Sequence, residues 1–191
     1  MSGKRKTGSA KHDAVANEAM IHLDHLYRVA FHLAQDPVDA EDLVQETFVR
    51  ALTAQEQFDP GTNMKAWLTK ILHNFFVDHY RQRKRWISAE AVTHPESEHW
   101  QRLPDLNPGP DSNVLRKELD DQITQALKKI PEEFRAPIVL VDMGDLSYDE
   151  AASILSCPIG TIRSRLSRGR KLMQQYLKIY VGGEPKRVTQ K

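Results

Sequence analysis

The chain has 191 residues, 40% hydrophobic and 28% charged, with a formal net charge of +1, an ordinary balance for one or two soluble globular domains. No apolar run approaches a membrane-spanning length and Met1 to Lys11 is polar and basic with no apolar signal core, so the expected location is the cytoplasm, without membrane insertion. One cysteine, Cys157, excludes an internal disulfide. His22, His25 and His32 have no cysteine or carboxylate at ligand spacing, so neither a metal nor a cofactor is expected.

Residues 1–17, rich in small polar and basic side chains, are expected to be disordered. From 18 to 86 the pattern is helical throughout. Leu23, Leu26, Tyr27, Ala30 and Phe31 give a first apolar face that ends before Asp36-Pro37. A second helix opens near Asp39, turns Leu43, Val44, Phe48, Ala51 and Leu52 inward, and stops before Asp59-Pro60-Gly61. The third runs from about Met64 to Arg85 with Trp67, Leu68, Ile71, Leu72, Phe75 and Phe76 on its core face. Between 87 and 113 the periodicity is lost. Pro95, Pro104, Pro108 and Pro110, with five acidic residues against Arg102, mark a flexible, Pro-rich acidic linker, a length that can extend on the order of 100 Å. Helical patterning resumes at Val114 with Leu115, Leu119, Ile123, Ala126, Leu127 and Ile130, and Pro131 opens another helix through Val141.

Residues 146–173 then read as a helix, a tight turn and a second, basic helix. Ser147 and Glu150 have capping-box spacing, and Cys157-Pro158 breaks the pattern because the residue before a proline is pushed out of the helical region. In the second helix Ile159, Ile162, Leu166, Gly169, Met173 and Tyr176 form one stripe. Thr161, Ser164, Ser167, Arg168 and Lys171 project away from it, with Arg163, Arg165 and Arg170 nearer the flanks. Short hydroxyls let such a helix approach the floor of a DNA groove, arginine can take a guanine edge with two hydrogen bonds, and flanking cations suit phosphates. Charge alone reads as a solvated face; capped helix, turn and basic helix in tandem favour a helix-turn-helix in the major groove. From 179 to 191 a flexible tail is expected. The fold class is thus all-α: two small helical domains, 18–86 and 114–178, joined by the linker at 87–113.

Two further faces lie outside these cores. On the second helix Asp42, Gln45, Glu46 and Val49 share a stripe, which periodicity alone reads as a solvated acidic face and which a basic partner helix would also fit. On the third, the face opposite the aromatics carries Lys70, His73, Asn74, Val77, Arg81 and Lys84 and continues into Tyr80, Arg83, Arg85 and Trp86. Interleaved cations and rings suit single-stranded DNA, and the loop from Phe58 to Lys65 can form a pocket over a flipped base. Trp67, Phe75 and Phe76 share the apolar stripe and are assigned to packing.

Four motifs in this order resemble the extracytoplasmic-function sigma factors, group IV of the sigma-70 family: Asp39 to Phe48, Asn63 to Asn74, Ile130 to Phe134, and Leu146 to Lys171. The resemblance covers about residues 20 to 178. It implies a non-enzymatic subunit that directs core RNA polymerase to promoters and initiates transcription. Asp39, Asp42, Gln45, Glu46 and Val49 would dock on the clamp helices of the polymerase large subunit, with the second domain toward the flap. Phe58, Asn63, Met64, Lys65, Asn74, Arg81, Arg83, Lys84 and Arg85 would hold the unpaired strand of the −10 element. Thr161, Arg163, Ser164, Arg165, Ser167, Arg168 and Lys171 would read the −35 element as duplex, and the linker would thread the polymerase cleft. Ser167 and Ala151 depart from the side chains common in the family, so base preference is not carried over. The loop Gly61 to Trp67 looks closest to oxidative- or general-stress subgroups, whose activity an anti-sigma protein holds; some of those partners bind zinc.

The competing reading is a helix-turn-helix regulator that binds duplex DNA without polymerase, but residues 39–85 carry no ligand-pocket, receiver or dimer-helix pattern. An enzyme is the weaker alternative. Of its paired carboxylates, Asp39/Asp42 lie on the docking helix and Asp149/Glu150 in a capping turn.

Overall fold

The computed structural model describes residues 15–89 and 112–181, and they are helical almost throughout. A helical stretch at 15–20 buries Val15 and Ala19, so the disorder expected for 1–17 does not reach its last residues. Helix α1, Leu23–Ala34, ends as Gln35 takes the left-handed conformation at φ 62° and returns its amide to the Phe31 carbonyl. Asp36 then caps α2, Pro37–Thr53, accepting from the amides of Val38 and Asp39 at 2.9 and 3.0 Å. Pro37 occupies the first helical turn, where a missing N–H costs nothing, and so the helix opens ahead of Asp39.

Helix α3 runs from Met64 to Ala89, past the expected stop at Arg85 and into the segment read as linker. Leu26, Val29, Ala30 and Leu33 of α1 meet Leu43, Val44 and Ala51 of α2 and Leu68, Leu72 and Phe76 of α3 in the first core. Burial of each such leucine contributes about 1.5–3 kcal/mol. Leu23 is exposed instead, since the buried stripe of α1 is phased on Leu26 and Leu33.

In the second half, α4 spans Ser112–Lys128 with Ala126 and Leu127 buried and Leu119 exposed, against expectation. Helix α5 is short, Glu132–Ile138. Pro137 removes an amide donor from it, and the chain passes into a π-helical turn at Val139–Met143 where one continuous helix was expected. Gly144 follows, where a Cβ would lie 2.6 Å from the Leu140 carbonyl oxygen. Then come α6, Tyr148–Ile154, and α7, Ile159–Val181, the latter extending beyond the expected boundary at 178.

The two halves meet: α1 and α3 pack against the π turn and α6, and the buried residues of both belong to one connected core. At this seam an ideal Cβ on Gly144 would approach His25 Cε1 to 3.3 Å. Residues 90–111, which hold most of the expected linker, and the tail from 182 onward lie outside the described residues.

Candidate nucleic-acid and protein interfaces

The helix-turn-helix is built as its capping chemistry dictates. The Glu150 amide donates to Ser147 Oγ at 3.2 Å and the Ser147 amide donates to Glu150 Oε2 at 2.8 Å, closing the capping box of α6. Ser156 turns left-handed at φ 49°, and Pro158 accepts from the Thr161 amide at 2.8 Å as α7 begins. Ile162, Leu166 and Gly169 are the inward stripe. At Gly169 a Cβ would come within 2.9 Å of the Phe134 carbonyl oxygen and 2.8 Å of Ile138 Cδ1, so α5 and α7 touch backbone to side chain there.

On the opposite face Arg163, Ser164, Ser167, Arg168 and Lys171 are exposed, with Thr161 and Arg165 partly covered. Ser164, Ser167, Arg168 and Lys171 thus share an outward face over a rigid apolar backing, with Thr161 beside them and Arg163 and Arg165 nearer its flanks. Arg170 does not join it. Its guanidinium takes the Asp142 carboxylate with two hydrogen bonds, 2.9 Å from Nε and 2.5 Å from Nη2, which raises its pKa still further. Arg170 therefore braces α7 to the π turn. The candidate phosphate contact on the helix flank becomes an internal tie, and sequence spacing gave no sign of a partner twenty-eight positions away.

The loop before α3 divides its residues between two tasks. Phe58 and Met64 are buried, at 4% and 2% exposure, and Phe58 lies 5.1 Å from Trp67 between ring centroids. The nucleotide contact expected of these two side chains is replaced by packing that supports the loop, because the chain after the turn folds them under it. Asn63 is exposed. Its Oδ1 accepts from the Ala66 amide at 3.3 Å, capping α3, while Nδ2 donates to Glu150 of α6 at 2.5 Å. Lys65 Nζ reaches the Asp145 carbonyl oxygen at 3.3 Å, and Asn74 is exposed farther along the same helix. The side chains of Arg81, Arg83, Lys84 and Arg85 lie outside the described residues.

His73, expected on the outer face of α3, is buried, and burial lowers its pKa to about 4. His32 falls to about 4 by burial and the nearby Arg28 charge; His25 does so by burial, then by the charges of Lys65, Arg28 and His22. All three imidazoles are neutral at pH 7. His25 Nε2 lies 3.0 Å from Thr69 Oγ1, whose hydroxyl donates to the Lys65 carbonyl at 2.7 Å, so the proton of His25 sits on Nε2 and points at Thr69.

The acidic stripe of α2 is one wall of a groove of about 350 Å³. Asp39, Asp42, Gln45, Glu46 and Val49 all line it, and Phe75 and His79 of α3 form the facing wall. Val49 is 59% exposed, an apolar side chain left uncovered within a charged rim. Glu46 is held by Arg50 at 2.6 Å, and the Arg50 guanidinium in turn lies 4.4 Å from the centre of the Phe75 ring. Phe75, assigned to packing from its apolar stripe, is half-buried and shared between core and groove. Its position at the edge of the stripe was the available signal. The arrangement offers a basic, amphipathic partner helix carboxylates, one aliphatic side chain and a ring.

Comparison with known proteins gives these surfaces a context. Residues 19–86 match the family model of sigma-70 region 2 and residues 120–173 that of sigma-70 region 4. The chain is 38% identical over 180 residues to the ECF RNA polymerase sigma factor SigE of Mycolicibacterium smegmatis, covering 90% of this chain and 68% of the relative. It is 33% identical over 171 residues to the ECF RNA polymerase sigma factor EcfG of Rhodopseudomonas palustris, covering 90% and 88%. Among solved structures it is similar to the sigma factor RpoE in complex with the anti-sigma factor NepR from Bartonella quintana. That match has a TM-score of 0.71 at 34% identity and covers 85% of this chain and 96% of the other.

Proposed function

The chain belongs to the ECF RNA polymerase sigma factors, and from that premise we propose how its surfaces divide the work of promoter selection. The observation that carries the proposal is the α2–α3 groove, in which Asp39, Asp42, Gln45, Glu46 and Val49 converge with Phe75. Its carboxylates would repel the phosphates of DNA, so the groove suits a protein partner rather than the nucleic acid. Here it receives the clamp helices of the polymerase large subunit, through charge complementarity at the rim and apolar contact at Val49 and Phe75. Residues 18–86 then engage the −10 element as unpaired DNA, with Asn63, Lys65, Asn74 and the cations of 81–85 along the strand. Residues 114–178, lying near the polymerase flap, read the −35 duplex through Thr161, Arg163, Ser164, Arg165, Ser167, Arg168 and Lys171, and 87–113 thread the cleft between.

The protein acts in the cytoplasm, has no catalysis of its own and is held by an anti-sigma partner until a stress signal arrives. The Bartonella quintana relative solved with NepR supports that control. Cys157 is the single thiol and is half-buried, so zinc or redox sensing is assigned to the partner. The test is reconstitution with purified core polymerase. The parent chain should co-elute with core and give run-off transcripts from a subset of genomic promoter fragments. Asp42→Arg with Glu46→Arg should lose both, since losing one side of a buried charged contact costs about 2–5 kcal/mol. Unchanged co-elution of a folded double variant would sink the groove assignment, and sequence-specific duplex binding with no dependence on polymerase would favour the regulator.

A further inference from the structure

Arg50 follows Val49, the last residue that α2 gives to the α2–α3 groove, and touches one residue from each wall. Its Nε donates to the Glu46 carboxylate of α2 at 2.6 Å, and its guanidinium carbon lies 4.4 Å from the centre of the Phe75 ring of α3. A carboxylate at the edge of a guanidinium and an aromatic ring against its face are the two contacts by which proteins recognise arginine. The end of the groove is therefore an arginine subsite, and in the free chain it is filled from within. The filling is weakly held. Arg50 and Glu46 are 44% and 38% exposed and one helical turn apart, and an exposed pair of this kind, like an exposed cation on a ring, contributes little to stability. It does change the groove's charge, since Arg50 offsets Glu46 among the three carboxylates, Asp39, Asp42 and Glu46, of its lining.

We propose that Arg50 is an internal stand-in for an arginine of the partner helix: docking exchanges one guanidinium for the other, and the chain's own sets how tightly the partner is held. The inference rests on the assignment of the groove to the clamp helices of polymerase. An arriving guanidinium reaches Glu46 and Phe75 only after Arg50 has left them, so the gain at this subsite is what remains once the internal contacts are lost. Exchange still favours docking. The internal contacts lie at the surface, whereas the partner covers its own, and charged hydrogen bonds and cation–ring contacts strengthen when water is excluded. Arg50 can swing outward without stranding a buried charge, because its side chain is already nearly half exposed. A residue that only braced the groove would act in the opposite sense: it would hold Glu46 and Phe75 in place for the partner, and its loss would weaken docking.

The test is the affinity of full-length chains for immobilised core polymerase at low and moderate salt, with folding checked by thermal unfolding. Arg50→Met keeps the aliphatic stem and removes the charge. It should tighten binding about fivefold at low salt, the worth of two weak exposed contacts, mostly through slower dissociation, and the gain should shrink as salt screens the rim. Arg50→Gln carries the same expectation should the methionine variant fail to fold, and Arg50→Lys, which keeps the charge without the planar fork, should stay within about twofold of the parent. Glu46→Gln tells a stand-in from a brace. It should cost little in the parent, where freeing Glu46 means giving up Arg50, and about fivefold more in the Arg50→Met background, where the carboxylate serves the partner alone. A folded Arg50→Met chain that binds core no better than the parent overturns the exchange, as does an equal effect of Glu46→Gln in both backgrounds. Asp42→Arg with Glu46→Arg separates this from failure of the groove assignment. If that double variant loses core while Arg50→Met gains nothing, the exchange alone is wrong; if it still co-elutes with core, the groove assignment itself falls.

Discussion

The loop before α3 and the outer face of α7 are both proposed to hold DNA, yet they are built on opposite plans. The α7 face is a row of short hydroxyls and cations set one helical turn apart over Ile162, Leu166 and Gly169, so its geometry is fixed before DNA arrives. The α3 loop has its large side chains, Phe58 and Met64, turned inward, and its outward donors hydrogen-bonded to the other half of the chain. Duplex DNA presents a constant surface that rewards a rigid reader, whereas an unpaired strand has to be caught as it forms. The difference teaches that charge and exposure alone do not identify a DNA surface. What backs it and what already occupies it decide how it can act.

The largest effect expected from this contrast concerns acid. His25, His32 and His73 are buried in the first half with pKa values near 4, and residues 112–181 contain no histidine. As the folded values lie below the unfolded value near 6.5, the unfolded chain binds protons first, so stability is full above about pH 6.5 and is lost as pH falls toward 4. For His73 alone the loss should be about 3 kcal/mol by pH 4. Amide hydrogen exchange at pH 7 and 4.5, corrected for intrinsic rates, should show 23–79 opening well ahead of 159–177. Equal loss in both halves would erase the contrast.

The rigid backing of α7 is tested at Gly169. Gly169→Ala drives a methyl against the Phe134 carbonyl and Ile138, which should cost about 1–3 kcal/mol in thermal or denaturant unfolding. It should also weaken duplex binding without altering base preference. No stability change would mean that α5 yields there and the reader is less rigid than its packing indicates.

Smaller and more discriminating is the pair Arg168 and Arg170. Arg168→Ala removes an outward guanidinium and should lose about 1–3 kcal/mol of discrimination at one or two −35 positions in a panel of single-base variants. Arg170→Ala breaks the exposed Asp142 tie, worth about 1 kcal/mol or less, and should leave the rank order of sequences intact. A uniform loss with Arg168→Ala would make it a backbone contact.

Much of α7 was legible in the sequence because its information is local. Periodicity separates Ile162 and Leu166 from Ser164 and Arg168 within a few residues, and Ser147 with Glu150 announces the helix before it. The stripe on α2 was equally legible as a stripe, but not as half of a groove, because Phe75 and His79 come from another helix. The loop was the least legible. Asn63 meets Glu150 across eighty-seven positions, and burial of Phe58, Met64 and His73 follows from how three helices converge. The π turn after Pro137 had a visible cause but not a visible outcome: the proline marks an interruption, and tertiary packing chooses how the chain absorbs it.

The central claim is that one half acts on unpaired DNA and the other on paired DNA within one polymerase-bound subunit. It is tested most directly by measuring open-complex formation with holoenzymes carrying Asn63→Ala plus Asn74→Ala, or Arg168→Ala, on one promoter supplied either as duplex or with a premelted bubble at the −10 element. The asparagine variant should be impaired on duplex and partly, though not fully, rescued by the bubble, because capture of the strand is weakened as well as its melting. The Arg168 variant should show the same defect on both templates, its duplex contact being unchanged. Equal rescue of both variants, or none of either, would contradict the division.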